Sequence, residues 1–256
     1  MPPLNIVADR SSQPCKICGA SSPLFGVVDF NKNCLEQLGV KLDISGIPIY
    51  YRRCPECSFV FTDAFDDWTS EDFQQHIYNA DYEKIDPEYT GTRAFRNAES
   101  IDKLFAANKA AMRMIDYGGG NGQLAGLLIE KGYSAESYDP FSQHNSRPSV
   151  RANFITCFEV IEHTNRPLEM LDDLLSLLEP AGVIVFSTAI QPDNFDAIGL
   201  SWWYVAPRNG HISIHSANSL IRLFASRQLD LHVVADGLVL AVPKSMQARL
   251  EIAKAV

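Results

Sequence analysis

The sequence lacks any long hydrophobic run. In its 256 residues no apolar stretch approaches the ~20 residues that a membrane-spanning helix requires. The first residues, MPPLNIVADRSSQP, also lack the basic-then-apolar pattern of a secretory signal. These absences predict a protein with no membrane partner and a cytoplasmic location.

Basic charge is scarce as well. The formal net charge is −9, and no stripe of lysine and arginine resembles those that bind nucleic acids. The acidic excess is concentrated in residues 62–90, which hold nine carboxylates and one base, Lys84. This segment is either a solvated surface or a dock for a cationic partner. The composition argues against a nucleic-acid partner.

Cysteines are few, but four of the six form two Cys-x-x-Cys pairs: Cys15, Cys18, Cys54 and Cys57. The small residues Gly19 and Ser58 follow the pairs and let backbone amides turn toward the thiolates. Two such turns are typical of a closed four-thiolate zinc site. Two disulfides are disfavoured without a secretory signal, and a redox pair is disfavoured because a second matched pair is present.

The chain divides into three predicted parts. Residues 1–62 would form a zinc-ribbon-like module with strands at 23–28 and 47–53, and zinc would supply much of its stability because so short a module can hardly build a core. Residues 63–90 form the acidic linking segment. Residues 91–256 form the main domain.

The main domain alternates between strand and helix patterns. The predicted strands are 112–116, 134–138, 153–158, 181–188, 231–234 and 238–242, and the predicted helices are 94–108, 123–131, 167–178 and 217–226. This alternation predicts an α/β fold, Rossmann-like and doubly wound, with a mostly parallel sheet and helices on both faces. In such sheets ligands bind at the carboxyl ends of the strands.

The first strand runs into DYGGGNG, residues 116–122. So many glycines let the backbone approach a bound molecule closely. The stretch GNGQLA, residues 120–125, matches the dinucleotide pattern G-x-G-x-x-A, with Asp139 as a ribose ligand further on, but that match alone is weak. The same run also follows Asp116 in the form D-x-G-x-G-x-G.

In that second form the run resembles the first motif of the class I S-adenosylmethionine-dependent methyltransferases. Three segments resemble further motifs of the family in the same order: SYDP at 137–140, FEVIEH at 158–163 and LEPAG at 178–182. Four ordered motifs are more specific than one glycine loop. The resemblance covers residues 91–245 and implies a methyltransferase whose donor is S-adenosylmethionine, in preference to an NAD-dependent dehydrogenase.

The resemblance also implies which residues hold the donor: Asp116, Gly118, Gly120, Gly122, Asp139, Phe158 and Glu159. Asp116 would interact with the amino-acid end of the donor, and Asp139 would accept hydrogen bonds from the ribose hydroxyls. Tyr82, with Tyr78 and Tyr89 in residues 73–89, would help to cover the donor, as N-terminal segments do in related methyltransferases. Alternatively, these tyrosines only pack on the surface.

One stretch departs from the family pattern. Only thirteen residues, 140–152, separate Asp139 from the next predicted strand. The family's third strand and the helix after it do not fit there, and the acidic residue that often reaches the adenine has no counterpart. We therefore expect an abbreviated sheet edge.

Catalytic candidates come first from FEVIEH, where Glu159 and His163 would shape the acceptor pocket. The resemblance leaves open whether this Glu-x-x-Glu-His segment contributes to a metal site or to catalysis. Alternatively, Glu159 only lines the donor pocket and His163 caps the next element.

A second group lies in the long insertion after the fourth strand: Trp202, Trp203, Tyr204, Arg208 and His211. Aromatic faces suit a planar or sugar-like acceptor, and the guanidinium suits a carboxylate or phosphate, although the tryptophans could instead form a hydrophobic lid. His211 follows a glycine near the expected mouth of the site and is the first candidate for a base.

The predicted function is therefore methylation of a small-molecule acceptor, at a hydroxyl oxygen, with a structural zinc in the N-terminal module. Three alternatives remain at this point: an RNA methyltransferase with a zinc module, a non-catalytic protein that binds S-adenosylmethionine, and an NAD-dependent dehydrogenase.

Overall fold

The computed structural model describes residues 11–88, 91–141, 146–235 and 237–246. Its strands are β1 Gln13–Pro14, β2 Ser21–Ser22, β3 Leu24–Asp29, β4 Pro48–Arg53, β5 Val60–Thr62, β6 Arg113–Tyr117, β7 Ser134–Tyr138, β8 Ala152–Phe158, β9 Leu178–Ser187, β10 Ser213–Ile214, β11 Leu229–Ala235 and β12 Leu238–Pro243. Its α-helices are α1 Ser70–His76, α2 Thr92–Phe105, α3 Gln123–Glu130, α4 Pro167–Leu177, α5 Phe195–Ile198 and α6 Ala217–Ala225. None of the helices in these ranges is long and apolar enough to cross a membrane.

The main sheet has six strands in the order β11-β12-β9-β8-β6-β7. The four strands β7, β6, β8 and β9 run parallel, while β12 runs antiparallel to β9 and to β11. The prediction of a Rossmann-like, mostly parallel sheet is confirmed. The carboxyl ends of β6, β7, β8 and β9 therefore lie at one edge, where the glycine run and FEVIEH begin.

Helices cover both faces of this sheet, because alternate side chains of each strand enter different cores. One core joins α4 and α6 to the residues Ile115, Ile155, Ile184 and Phe186. The other joins α2 and α3 to the residues Met114, Phe154 and Val185. This period of two is what a strand buried on both sides requires.

The sheet ends at β7, as the short connection after Asp139 predicts. In the described part of residues 140–151 there is no strand and no helix, and residues 142–145 lie outside the described ranges. The element that would extend this edge in the wider family has no equivalent among the described residues.

The N-terminal module contributes a second, antiparallel sheet in the order β10-β5-β4-β3. Strands β3 and β4 confirm the two strands predicted between the cysteine pairs. The fourth strand, β10, comes from the insertion of the main domain and pairs Ser213 with Phe61 and Ile214 with Val60. The module is thus completed by residues far along the chain, and its predicted boundary at residue 62 does not separate two independent cores.

The packing of aromatic side chains also shows that the N-terminal module shares a core with the main domain. Phe59 and Phe61 stack on each other with ring centroids 5.4 Å apart, and both belong to the core that contains Leu220 and Phe224 of α6. A module too small to bury a core of its own gains one by sharing that of the main domain.

Most carboxylates of the acidic segment form ion pairs or hydrogen bonds within the chain. Six of its carboxylates bind partners in the described residues: Asp63 binds Arg52, Asp66 binds Lys16, Asp72 caps α1, Asp81 binds Lys84, Asp86 binds Arg93 and Glu88 binds Arg96. These contacts favour a structural surface. A cationic partner for residues 62–90 stays a prediction.

Candidate active site at the carboxyl edge of the sheet

The glycine run after β6 folds tightly around Asp116 and Ser137. Asp116 is buried, and its Oδ1 accepts a hydrogen bond of 2.8 Å from the hydroxyl of Thr156 on β8. A Cβ at Gly119 would lie 2.5 Å from Asp116 Oδ2 and 2.4 Å from Ser137 Oγ. Only glycine fits at position 119. The sequence motif predicted a need for glycine at 118, 120 and 122 and did not single out Gly119.

The loop also contacts FEVIEH directly. Gly118 has a φ of +72°, and a Cβ on it would lie 2.4 Å from Val160 Cγ2. The amide of Gly120 donates to Asp139 Oδ2 at 3.1 Å, and the amide of Phe141 donates to Asp139 Oδ1 at 2.8 Å. Gly122, with a φ of +80°, begins α3. The residues predicted to hold the donor are therefore brought together, apart from Tyr82.

Two buried oxygens beside this loop, on β6 and β7, have no hydrogen-bond partner within the described residues: Asp116 Oδ2 and Ser137 Oγ. Burial raises the pKa of Asp116 to about 7, the hydrogen bond from Thr156 opposes the rise, and the charge of Asp139 adds to it. Unsatisfied buried acceptors are costly, so they indicate a ligand that supplies a donor. The ammonium of an amino acid is such a group.

Replacing Asp116 by Asn is expected to stabilise the free protein while it weakens donor binding. Because burial raises the pKa of Asp116, this carboxyl group loses its proton at a higher pH in the folded state than in the unfolded state. The free energy of unfolding of the wild type therefore falls as the pH rises toward 7. The advantage of Asp116→Asn should grow by roughly 2 kcal/mol between about pH 5.5 and 7 and stay level above about pH 8. Denaturant unfolding at several pH values measures it.

Asp139→Asn is the matched control for this experiment. Asp139 accepts two backbone hydrogen bonds at the same loop and is not fully buried, so its replacement should destabilise the free protein, whereas Asp116→Asn should stabilise it. If the difference in stability between wild type and Asp116→Asn does not change with pH, burial does not raise the pKa of Asp116 in the folded protein.

Glu159 stands at the end of β8 in a strained backbone conformation. Its φ is +53°, which is uncommon for a residue with a side chain. Its amide donates to the carbonyl of Ser187 at 3.2 Å, and its Oε1 accepts from the hydroxyl of Ser187 at 2.8 Å. Phe158 before it is buried. These contacts fix the Glu159 carboxylate between the ends of β8 and β9.

Tyr204 connects the insertion to FEVIEH. Its hydroxyl donates to Glu162 Oε1 at 2.6 Å, and it lies 3.1 Å from Thr188 Oγ1 and 3.5 Å from Glu159 Oε2. Glu162 is fully buried, which raises the pKa of its carboxyl group, and its Oε2 has no partner within the described residues. The Tyr204 hydroxyl therefore holds the carboxylates, and a direct contact with an acceptor stays a prediction.

His163 and His211 come together from distant parts of the chain, with ring centroids 4.9 Å apart. Nδ1 of His163 lies 3.1 Å from the carbonyl of Gly210, and Nδ1 of His211 lies 2.9 Å from the carbonyl of Tyr204. Burial lowers the pKa of His163 to about 4 and that of His211 well below its usual value. Both rings are neutral at pH 7, and His211 is buried in the site and not at its mouth.

The remaining acceptor candidates differ in exposure. Trp202 is 9% exposed and Trp203 is 39% exposed, and both rings pack against Tyr204, at 5.3 and 5.2 Å. Arg208 is buried and donates to the carbonyl of Ile77 at 2.9 Å and to Asn79 at 3.2 Å. Its guanidinium ties the insertion to the acidic segment, and a role in binding the acceptor stays a prediction.

The acidic segment covers the histidine end of the site. The Tyr82 hydroxyl lies 3.3 Å from the carbonyl of Asn209, and its ring packs on Tyr78, which lies 6.0 Å from the ring of His163. The predicted contact of Tyr82 with the donor stays a prediction. Tyr89 lies outside the described residues.

The four paired cysteines also come together. Their sulfur atoms lie within 4.8 Å of one another, with Cys15–Cys57 at 3.7 Å and Cys18–Cys54 at 3.4 Å. Four sulfurs around one zinc ion, with bonds of about 2.3 Å, would be about 3.8 Å apart. No disulfide links the cysteines in the described residues. The geometry can hold one tetrahedral ion.

Both cysteine turns have the same backbone geometry. The amide of Gly19 donates to the carbonyl of Cys15 and the amide of Ser58 to that of Cys54, each at 2.9 Å. Gly19 has a φ of +75° and Ser58 a φ of +59°, so the small residues after each pair adopt the turn that the sequence predicts.

Sequence reasoning missed three contacts of the site: Thr156 on Asp116, Ser187 on Glu159 and Cys34, whose sulfur lies 3.5 Å from His211 Nδ1. The first two are hydroxyl residues near the carboxyl ends of mostly apolar strands, a pattern that could have indicated them. Nothing near Cys34 in the sequence relates it to His211.

A family model described as "Methyltransferase domain" matches residues 89–234, more than half of the chain. The chain belongs to this family. The class I methyltransferase predicted from four ordered motifs is thereby confirmed.

Three of the solved structures that are similar to this chain are the following. TnmH has 15% identity and a TM-score of 0.46, with 67% of this chain and 60% of that one covered. PigF with SAH has 16% identity and a TM-score of 0.46, with 70% and 63% covered. An O-methyltransferase family protein from Burkholderia thailandensis has 12% identity and a TM-score of 0.42, with 70% and 68% covered. A search of curated proteins found no match.

Proposed function

We propose that the protein transfers a methyl group from S-adenosylmethionine to a hydroxyl oxygen of a small-molecule acceptor. The observation that carries this proposal is the contact between the glycine run, residues 116–122, and FEVIEH, where Gly118 packs on Val160. On one side of that contact lie Asp116 and Asp139, and on the other lie Glu159, Glu162 and the two histidines.

The donor would supply an electrophilic methyl group on a good leaving group. The task of the chain is then to orient the acceptor, exclude water and remove the hydroxyl proton. Asp116 Oδ2 and Ser137 Oγ would receive the amino-acid end, and Asp139 the ribose. His211, whose neutral ring is held by the Tyr204 carbonyl, is the proposed base, with His163 and Glu159 shaping the same pocket.

Enclosure supports a small acceptor. The site is bounded by the acidic segment through Tyr78 and Tyr82, and by the insertion through Tyr204 and Trp202. A net charge of −9 disfavours RNA, whose backbone needs cationic partners.

We also propose that the ion between the four cysteines is zinc, one per chain, with a structural role. Four thiolates in two matched turns, three of them buried, favour zinc over harder cations. A full set of four protein ligands leaves no open position for catalysis.

Label transfer tests the function. Protein supplied with methyl-labelled S-adenosylmethionine is incubated with a panel of phenols, sugars and hydroxy acids, and in parallel with RNA. We expect label in a small-molecule product and none in RNA. Label in RNA, with binding weakened by salt, would favour the RNA methyltransferase, and donor binding without transfer to any acceptor would favour a non-catalytic protein.

A further inference from the structure

We propose that Glu162, His163 and His211 bind one divalent transition-metal ion, separate from the four-cysteine site. The ligand atoms of these three residues lie within 4.8 Å of one another. His163 Nε2 lies 4.0 Å from Glu162 Oε1. The three side chains converge although His211 is distant in sequence from the other two, which follow each other in FEVIEH.

The histidine tautomers suit metal binding. A backbone carbonyl can only accept a hydrogen bond, so the contacts of Nδ1 with Gly210 and Tyr204 place a proton on Nδ1 of each ring. Each Nε2 then carries a lone pair, and within the described ranges no hydrogen bond reaches either Nε2. Histidines that bind metals usually donate their other ring N–H in this way. The Nδ1 contacts therefore fix the orientation of both rings and leave each Nε2 able to bind a metal ion.

The carboxylate provides the second, independent observation. Glu162 is 0% exposed, and its Oε2 has no hydrogen-bond partner within the described residues. Over the same residues, no lysine or arginine lies within salt-bridge distance of Glu162, and its neighbours are the neutral ring of His163 and a second carboxylate, Glu159. A buried carboxylate without a counter-charge is costly, and a divalent cation would supply the charge.

The donor set narrows the choice of metal. Two imidazole nitrogens and one carboxylate oxygen suit Mn²⁺, Fe²⁺, Co²⁺ or Zn²⁺, whereas Mg²⁺ and Ca²⁺ prefer sites made of oxygen alone. Cys34 is not part of the set, because its sulfur contacts Nδ1 of His211, the nitrogen that carries the proton. Glu159 is engaged by Ser187.

Three protein ligands leave a coordination position open, as in catalytic sites. A hydroxyl bound at that position loses its proton more readily, and His211 would then act as a ligand in place of its direct role as a base. The inference itself does not depend on the proposed reaction, because metal binding is measured without donor or acceptor.

The test is calorimetric titration with Mn²⁺ of protein that carries one zinc ion per chain, in the cysteine site, after all further zinc has been removed by dialysis. Mn²⁺ binds thiolates poorly and so leaves that zinc in place. We expect one Mn²⁺ per chain. Glu162→Gln and His163→Gln should each weaken binding at least tenfold, while His232→Ala, which removes an exposed histidine on β11, should change it by no more than about twofold.

Zinc content and circular dichroism establish that each variant is folded, and either glutamine variant decides the result if the other fails to fold. Two results would overturn the proposal: no binding of Mn²⁺ or Co²⁺ beyond the cysteine site, or binding that the glutamine variants leave unchanged.

Discussion

Cys54→Ser is expected to lower the free energy of unfolding of the whole chain by at least ~3 kcal/mol and to reduce the zinc content by one ion per chain. Cys54 is fully buried, and its sulfur lies 3.4 Å from that of Cys18. Its loss leaves three thiolates without the charge that keeps them together. Metal analysis and denaturant unfolding measure both effects.

The structure also predicts how far this damage spreads. Phe59 and Phe61, beside the second cysteine pair, belong to the same core as α6, and β10 belongs to the same sheet as β5. We therefore expect a single unfolding transition in place of early loss of the module alone. The control is Cys34→Ser, which removes a thiol outside the cluster and should cost less than ~1 kcal/mol. Zinc-free wild-type protein that is fully folded would refute the zinc assignment, and a Cys54→Ser protein with wild-type stability would refute the structural role of the ion.

His211→Ala should reduce turnover on the true acceptor at least ~10²-fold while S-adenosylmethionine affinity stays within a few-fold of wild type. Removing the ring takes away a group from the proposed acceptor side of the site, whereas the loop that is proposed to bind the donor contains Asp116, Asp139 and glycines. Single-turnover kinetics and donor titration separate the two effects. His232→Ala, which removes an exposed histidine on β11, is the control and should leave both quantities unchanged.

Glu162→Gln then distinguishes the two roles given to His211. If His211 is a base, this variant keeps its turnover, because the ring and its carbonyl contact remain. If His211 is a metal ligand, Glu162→Gln loses turnover as well. After treatment of both proteins with a chelator, added Mn²⁺ then restores the activity of the wild type but not that of Glu162→Gln. Near-normal turnover of His211→Ala would transfer the role to His163 or remove the need for a base.

Local patterns predicted much of this molecule. The alternation of strands and helices, the strand-ending Asp116 and the matched cysteine turns depend on periodicity and on glycine conformation, which are properties of short stretches. The shortened edge after Asp139 followed from simple counting. Each of these features requires few contacts between distant residues.

Contacts between distant segments could not be predicted. Neither the pairing of β10 with β5 nor the hydrogen bond from Tyr204 to Glu162 leaves a pattern in the sequence, because each depends on how the insertion packs on the module. Arg208 was predicted as an anion-binding residue from its chemistry, yet the structure shows it holding the carbonyl of Ile77. A polar residue in a loop cannot be assigned to a ligand or to a neighbour until the packing is known.

Calorimetry of the free protein with S-adenosylmethionine, and separately with NAD, decides which of the two cofactors the protein binds. We expect one S-adenosylmethionine bound per chain, weakened at least tenfold by Asp139→Asn, and no binding of NAD. Asp139→Asn replaces one of the two carboxylate oxygens that are proposed to accept hydrogen bonds from the ribose hydroxyls, so it reports on the proposed site itself. Binding of NAD without binding of S-adenosylmethionine would contradict the account.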